Sequence, residues 1–410
     1  MPRSHNVIRM RSGRVVEILK PLGGGGQGET HLCREQGSGV QRVLKIMHPQ
    51  FDTPAGRKRV EFLVAQNLSA VNPVLMGPLD CTGSGTPLAH LSPVAPGQLL
   101  EELLLSPCWS FMEGLDLSIA LAQAVAVLDA RRIWHGDISS LNTMIHRNGH
   151  ILVAVIDFDN SGAPGVPPPP MAGGKLYMAP EIINGDAPDT ESDRWSLAVL
   201  IHEILLLKHP QHGFDADENA FVKATMNDRW NQDPSLCRAG AGASGGYPAE
   251  VLSPDLARLF RRGFSLNPVS RPPAMEWLAA LIFARDHVFA CPRCGGMVLI
   301  DASKTRCPFC SKDYPLTQLV FDGGRTVACD GVLVIRRSDM GGRPEVSSLH
   351  SIIRRVGPEF WLEDMGSCNG TFRRTPDGRW LRLPPSKPVL IQPGDRLRFA
   401  NVEASVHELT

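Results

Sequence analysis

Asn148-Gly149 sits between two β-rich runs, Thr143 to His146 and Ile151 to Ile156, and predicts a tight hairpin. This hairpin constrains the chain more than any other feature because of what stands at its open end. Before it comes His135-Gly136-Asp137-Ile138-Ser139-Ser140-Leu141-Asn142, and after it Asp157-Phe158-Asp159. Folding the ribbon brings Asn142 and Asp157 to the same end. Two oxygen donors there can hold the Mg2+ ions that bridge phosphates, and Asp137 can accept a hydroxyl proton. A single Asp or Asn often does no more than cap a loop. Two such clusters joined by a hairpin point instead to phosphoryl transfer from a metal–nucleotide.

Upstream lie residues that complete a nucleotide site. Gly23, Gly25 and Gly28 fit G-x-G-x-x-G, a β-turn that can close over phosphates and offer them backbone N–H groups. Lys45 follows in the apolar run Val43-Leu44-Lys45-Ile46, a lone cation on a predicted strand. A helix is then predicted, with Thr53 as N-cap, Pro54 in the first turn, and Val60, Leu63, Val64 and Leu68 at helical spacing. Glu61 borders that apolar stripe. It is expected to face inward and pair with Lys45, aiming the ammonium at the α- and β-phosphates of ATP.

These residues and their order resemble the eukaryotic-type protein kinase family over residues 14–285. Met178-Ala179-Pro180-Glu181 is similar to the end of an activation segment, and Ser192-Asp193-Arg194-Trp195-Ser196-Leu197 to the start of the large helix of the helical lobe. Arg271 matches the arginine that pairs with the Glu181 position. The resemblance implies a bilobal α+β fold, a small β-rich lobe and a larger helical lobe, with ATP between them. It assigns catalytic roles to Lys45, Glu61, Asp137, Asn142 and Asp157. It also makes Leu91 the gatekeeper and places adenine against Ser92 and Val94, under Val43 and over Met144.

The chain departs from the family at several points. Gly136 stands where an arginine usually reads a phosphorylated activation segment, and the segment between Asp159 and Met178 has only Ser161 and Tyr177 as hydroxyl residues. Activity is therefore expected not to need segment phosphorylation. Pro167 to Pro170 form a stiff run there. Ser139 replaces a lysine and Asp159 a glycine. His-Gly-Asp followed by Ile-Asp-Phe-Asp is also similar to small-molecule phosphotransferases of the aminoglycoside and choline kinase type. The glycine loop, Ala179-Pro180-Glu181 and the Asp193 helix favour a protein serine/threonine kinase. A catalytically weak or pseudokinase scaffold is the other alternative.

Cys291-Pro292-Arg293-Cys294 and Cys307-Pro308-Phe309-Cys310 are two C-x-x-C pairs separated by twelve residues. This spacing predicts a structural Zn2+ ribbon over residues 288–316, with all four thiolates used and no open position. Residues 318–410 read as short strands between Gly and Pro turns and resemble a forkhead-associated (FHA) domain, an all-β sandwich. The resemblance rests on Ile335-Arg336-Arg337-Ser338, Ser347-Ser348-Leu349-His350, Ser367-Cys368-Asn369-Gly370-Thr371 and Gly394-Asp395. It implies phosphothreonine peptide binding. Arg337 and Ser347 are suited to the phosphate and Asn369 to the peptide backbone, while His350 braces the loops. Arg336 and Ser348 depart from the usual glycine and arginine.

A kinase, zinc ribbon and FHA domain in this order resemble the bacterial kinases of tellurite-resistance-associated signalling. There the partners are a von Willebrand A-domain protein and a PP2C-type phosphatase. With 410 residues, several domains are expected. Lys plus Arg and Asp plus Glu both number 42, which gives no bias towards nucleic acid or membrane. The first residues lack an apolar signal stretch, and no run is expected to span a membrane, so the expected setting is cytoplasmic. Residues 239–246 read as a Gly/Ala-rich insertion.

Overall fold

The computed structural model describes residues 7–169, 175–211, 217–226, 230, 233–234, 246–286, 288–291, 293–299, 306–314, 316–329 and 331–409. Pro170 and residues 239–245 of the predicted insertion lie outside the described residues. The chain forms two compact units, residues up to 249 with 255–286, and residues 250–254 with 287–410.

The first unit opens with a six-stranded sheet in the order β1-β2-β3-β4-β6-β5. Its strands are β1 (Val7–Arg9), β2 (Val15–Gly24), β3 (Gly28–Glu35), β4 (Gln41–Met47), β5 (Asp80–Cys81) and β6 (Ala89–Ser92). The glycine loop is the β2–β3 turn. Gly28 is required by packing rather than by the turn, since a Cβ there would meet the Ile46 carbonyl oxygen at 2.4 Å. One sheet face buries Met10, Val16, Cys33, Leu44, Ala89 and Leu91. On the other, Met47, Cys81 and Leu88 pack with Val60 of the helix Pro54–Gln66. That helix starts as the sequence predicts, with the Thr53 hydroxyl accepting from the Gly56 N–H at 3.0 Å and Pro54 in the first turn.

The helical lobe is built on Phe111–Arg131, Thr190–Leu206 and Ala274–Arg285. Phe111–Arg131 starts with a capping box in which Ser110 and Glu113 satisfy each other's backbone N–H groups. This helix corrects the expectation that no run approaches a membrane span: by length and apolarity alone it passes that test. Its Leu115, Leu121, Ala122, Val125 and Leu128 are instead buried in the lobe, where it packs against the other two helices. Thr190–Leu206 is buried almost all round, which makes it the rigid post of the lobe. Thr143–Asn148 and His150–Val155 form the hairpin predicted from Asn148-Gly149, and Gly149 takes φ +71° in its turn.

The second unit holds the paired cysteines and a β-sandwich. A hairpin of Val288–Ala290 and Met297–Leu299 carries the first knuckle. The sandwich has a six-stranded and a four-stranded sheet. Its first strand begins at Leu316 and pairs with the last, Val402–Leu409. Alternation along Glu359–Asp364 turns Phe360 and Leu362 into a core shared with Leu319, Ile335, Ile353, Leu397, Phe399 and Val406.

Candidate functional site

The loop His135–Asn142 is held from below by Asp193, a buried carboxylate on Thr190–Leu206. It accepts from the His135 N–H at 2.5 Å and the Gly136 N–H at 2.9 Å. His135 is fully buried, and burial pushes its imidazole down to about 4, so the ring is neutral. Its Nδ1 accepts from the Asp137 N–H at 3.3 Å, which leaves Nε2–H to donate to the Ile156 carbonyl at 3.1 Å. Gly136 has φ +76°, and a Cβ there would lie 2.5 Å from the Asn160 carbonyl oxygen. The family's arginine therefore has no room on this backbone.

Asp137 is half-buried; burial, with the Asp157 charge behind it, pushes its carboxyl up to about 6. The Asn160 side-chain amide donates to its Oδ2 at 3.3 Å and the Asn142 amide to its backbone carbonyl at 2.9 Å. Asn142 and Asp157 adjoin at the open end of the hairpin, joined by the Ile156 N–H to the Asn142 carbonyl at 2.9 Å. Asp157 itself adopts the left-handed conformation, φ +60°. Lys45 Nζ lies 2.9 and 3.1 Å from the two carboxylate oxygens of Asp157. Lys45, Asp137, Asn142 and Asp157 thus share one cleft edge. Gln27, at the tip of the glycine loop, donates to Asn160 Oδ1 at 2.6 Å, linking the loop to Asp137 through one side chain.

Two expectations are corrected. Glu61 does not meet Lys45: it pairs with Arg11 at 2.6 Å on the surface, their side chains 48% and 60% exposed. Gly56, Val60 and Leu63 fix the buried face of the helix, and that phase turns Glu61 outward while Arg59, only 4% exposed, faces in. The carboxylate that meets Lys45 besides Asp157 is Asp159, 2.5 Å from Nζ. Burial opposes charge on Asp159, but His90 and Lys45 outweigh it and hold the carboxyl well below its ordinary range. Leu91 is not at the cleft either. It pairs with Leu44 and points into the opposite core, whereas His90 stands across from Lys45.

The sequence reading missed His90, Arg59, Gln27 and Asn160. Only strand alternation from Lys45, carried across the β4–β6 pairing, would have pointed to His90. Val43 and Ser92 are register partners at the end of that pairing, Met144 lies across from Leu99 on the hairpin, and Val94 is exposed. At the segment, Ser161 is buried and donates to the His135 carbonyl at 3.2 Å, and the buried Tyr177 hydroxyl donates to Glu203. Arg271 and Glu181 form a two-pronged ion pair, 2.6 and 2.7 Å.

In the second unit the four cysteine Sγ atoms lie within 4.8 Å of one another, with Cys291–Cys310 at 4.0 Å and Cys294–Cys307 at 3.6 Å. The two knuckles repeat one design. Gly295 N–H bonds back to the Cys291 carbonyl and Ser311 N–H to the Cys307 carbonyl, both residues at positive φ. Four sulfurs at about 2.3 Å from a common centre would be just under 4 Å apart, so the cluster fits Zn2+. On the sandwich, Arg337, Ser347 and Asn369 gather at one loop cluster. Arg337 Nε donates to the Val346 carbonyl, Asn369 to the Glu345 carbonyl, both at 2.7 Å, and Ser347 Oγ accepts from the Cys368 N–H at 3.2 Å. Buried His350 accepts from the Ser347 N–H and donates to the Gly370 carbonyl, tying both loops together.

Comparison with known proteins agrees with this architecture. A protein kinase domain model matches residues 16–283 and an FHA domain model residues 322–400. Serine/threonine-protein kinase pkn2 of Myxococcus xanthus is 27% identical over 208 residues, covering 48% of this chain and 25% of the relative. Aurora kinase A-A of Xenopus laevis is 29% identical over 199 residues, 47% and 48% of the two chains. Myosin light chain kinase 2 of Mus musculus is 23% identical over 267 residues, 62% and 42%. The match thus spans a quarter to about half of these relatives' lengths. With its cleft, anchored loop and matching domain model, the chain belongs to the protein kinase family and carries an FHA domain after the kinase domain.

Proposed function

We propose that this chain is an ATP- and Mg2+-dependent protein serine/threonine kinase whose FHA domain binds phosphothreonine peptides. The observation that carries the reading is the convergence of Lys45, Asp137, Asn142 and Asp157 on one cleft edge, with Lys45 Nζ 2.9 Å from Asp157. Asp137 takes the proton of a serine or threonine hydroxyl, a task suited to a carboxyl raised to about 6. Asn142 and Asp157 supply the hard oxygen donors that suit Mg2+, whose chemistry there is to neutralise charge on the transferred phosphoryl group. Lys45 orients the nucleotide phosphates, and the Gly23–Gly28 turn covers them. Activity does not depend on segment phosphorylation; the support is Gly136 and the buried, bonded hydroxyls of Ser161 and Tyr177.

The proposal extends to the other modules. Cys291, Cys294, Cys307 and Cys310 hold a structural Zn2+ ion, and the reduced thiolates this needs suit the cytoplasm. Arg337, Ser347 and Asn369 receive the phosphopeptide. The module order supports bacterial stress signalling of the tellurite-resistance type, with a von Willebrand A-domain protein as substrate and a PP2C-type phosphatase as counterpart. Two observations favour a second reading, an idle scaffold: Lys45 is gripped by Asp159 and Asp157, and Ser139 brings no positive charge.

The full chain incubated with γ-labelled ATP and Mg2+, alone and with such partner proteins, decides between the readings. Label on serine or threonine is expected. Asp157→Ala should abolish transfer, while Asp137→Asn should spare nucleotide binding and slow transfer by about 10²- to 10⁴-fold. Nucleotide binding with no transfer to any protein would leave the scaffold.

A further inference from the structure

Lys45 is one of the site's few cations, and the helix that should orient it presents the wrong charge. Arg59 is the buried polar residue of Pro54–Gln66, its guanidinium reaching the Pro167 carbonyl at 3.4 Å, while Glu61 lies outside on Arg11. The carboxylate inside is Asp159, 5% exposed and fixed from two sides. One oxygen lies 2.5 Å from Lys45 Nζ and the other 2.9 Å from His90 Nε2. Lys45 and His90 are direct register partners on β4 and β6, so their side chains leave the same sheet face and close on one carboxylate between them. This is an exchange of charge between two elements. The helix carries the cation, and the turn after Asp157 carries the anion.

We propose that Asp159 is the positioning residue for Lys45, in the place where the family resemblance puts Glu61, and that His90 clamps it. Asp159 acts through Lys45 rather than on a reacting atom. A carboxylate two residues after Asp157 ties the lysine to the same short turn that bears a metal ligand. The geometry of Lys45 is then set by that turn and by the sheet, and not by the attitude of the helix. Arg59 adds a second positive side chain on the helix side of Asp159, which offsets the cost of burying an anion there. The glycine usual at this position in the family could make none of these contacts.

The inference rests on the kinase reading for its consequence, yet the pairing can be tested without it. The readouts are labelling of Lys45 by a lysine-selective acylating reagent, followed by mass spectrometry in metal-free buffer, and kcat and KM for ATP. Asp159→Asn in the full chain should speed Lys45 labelling by about tenfold, because the amine then keeps only Asp157 of its two carboxylate partners. It should lower kcat/KM for ATP by about 10- to 100-fold. His90→Gln should move both readouts the same way by less, and covers the case in which Asp159→Asn fails to fold. Glu61→Gln should change both by less than about twofold, as an exposed ion pair does. Glu61→Gln matching Asp159→Asn would overturn the proposal. So would unchanged metal-free labelling in Asp159→Asn accompanied by a raised Mg2+ requirement, since that outcome makes Asp159 a metal ligand. A parent that binds ATP but transfers no phosphate defeats the kinase reading alone, because the labelling comparison still decides the pairing.

Discussion

Removing Glu181 should unfold the helical lobe far more easily than its place near the surface suggests. Its partner Arg271 has no side-chain exposure. The guanidinium spends Nη1 and Nη2 on Glu181 at 2.6 and 2.7 Å, Nε on the Ser265 carbonyl at 3.0 Å, and Nη1 again on the Glu191 carbonyl at 3.0 Å. It also lies 5.3 Å from the Trp195 ring centroid. Glu181→Ala leaves a buried cation with two carbonyls and a ring face, and Nη2 loses both its bond and its counter-charge. Breaking such a pair costs about 3–5 kcal/mol, because the surviving charge stays desolvated. With a urea m-value of about 3 kcal/mol/M for a unit of this size, the midpoint should fall by about 1–1.7 M. Fluorescence of the buried Trp195 and Trp277 reports the transition. Glu181→Ala with Arg271→Met should recover part of the loss, since no unpaired charge remains. A single-variant cost below about 1 kcal/mol, as for an exposed pair, would refute the reasoning.

Three further outcomes are expected. Burial raises the Glu203 carboxyl from about 4.5 to about 8, so the folded state keeps a proton that the unfolded chain releases between those values. The stability this gives is full below pH 4.5 and is lost as pH rises through 8. Against Glu203→Gln, the parent should therefore lose up to about 1.4 kcal/mol per pH unit between pH 5.5 and 7.5 in urea titrations, and a flat difference would contradict it. Protein purified without chelator should carry one Zn2+ per chain, and chelation should melt the cysteine knuckles while the kinase domain's nucleotide binding persists; absence of zinc by elemental analysis refutes the ribbon. Arg337→Ala should weaken binding of a phosphothreonine peptide by about 10-fold or more and leave its unphosphorylated form unchanged, as titration calorimetry on the full chain would show.

Much of this protein is decided locally and was legible in the sequence. Asn148-Gly149 can hardly sit anywhere but a tight turn, Thr53-Pro54 can start a helix without any partner, and paired C-x-x-C knuckles need only their own backbone bonds. The hairpin then dictates that Asn142 and Asp157 meet. Which face of an element meets which neighbour was a different matter. Periodicity groups Val60 with Leu63, yet two positions along a helix are about 200° apart, so only packing on Met47 and Cys81 decided that Arg59 enters and Glu61 leaves. One step along β6 likewise reverses the face, and the β4–β6 register alone sent Leu91 into the far core and His90 to Lys45. No run was expected to approach a membrane span, yet Phe111–Arg131 is long and apolar enough to do so, and only the helices packed on it account for that apolarity. Asp159 is one letter of the sequence, but its meaning comes from three elements closing around it. Long-range packing sets the electrostatic partners of a buried charge, and no local pattern records them.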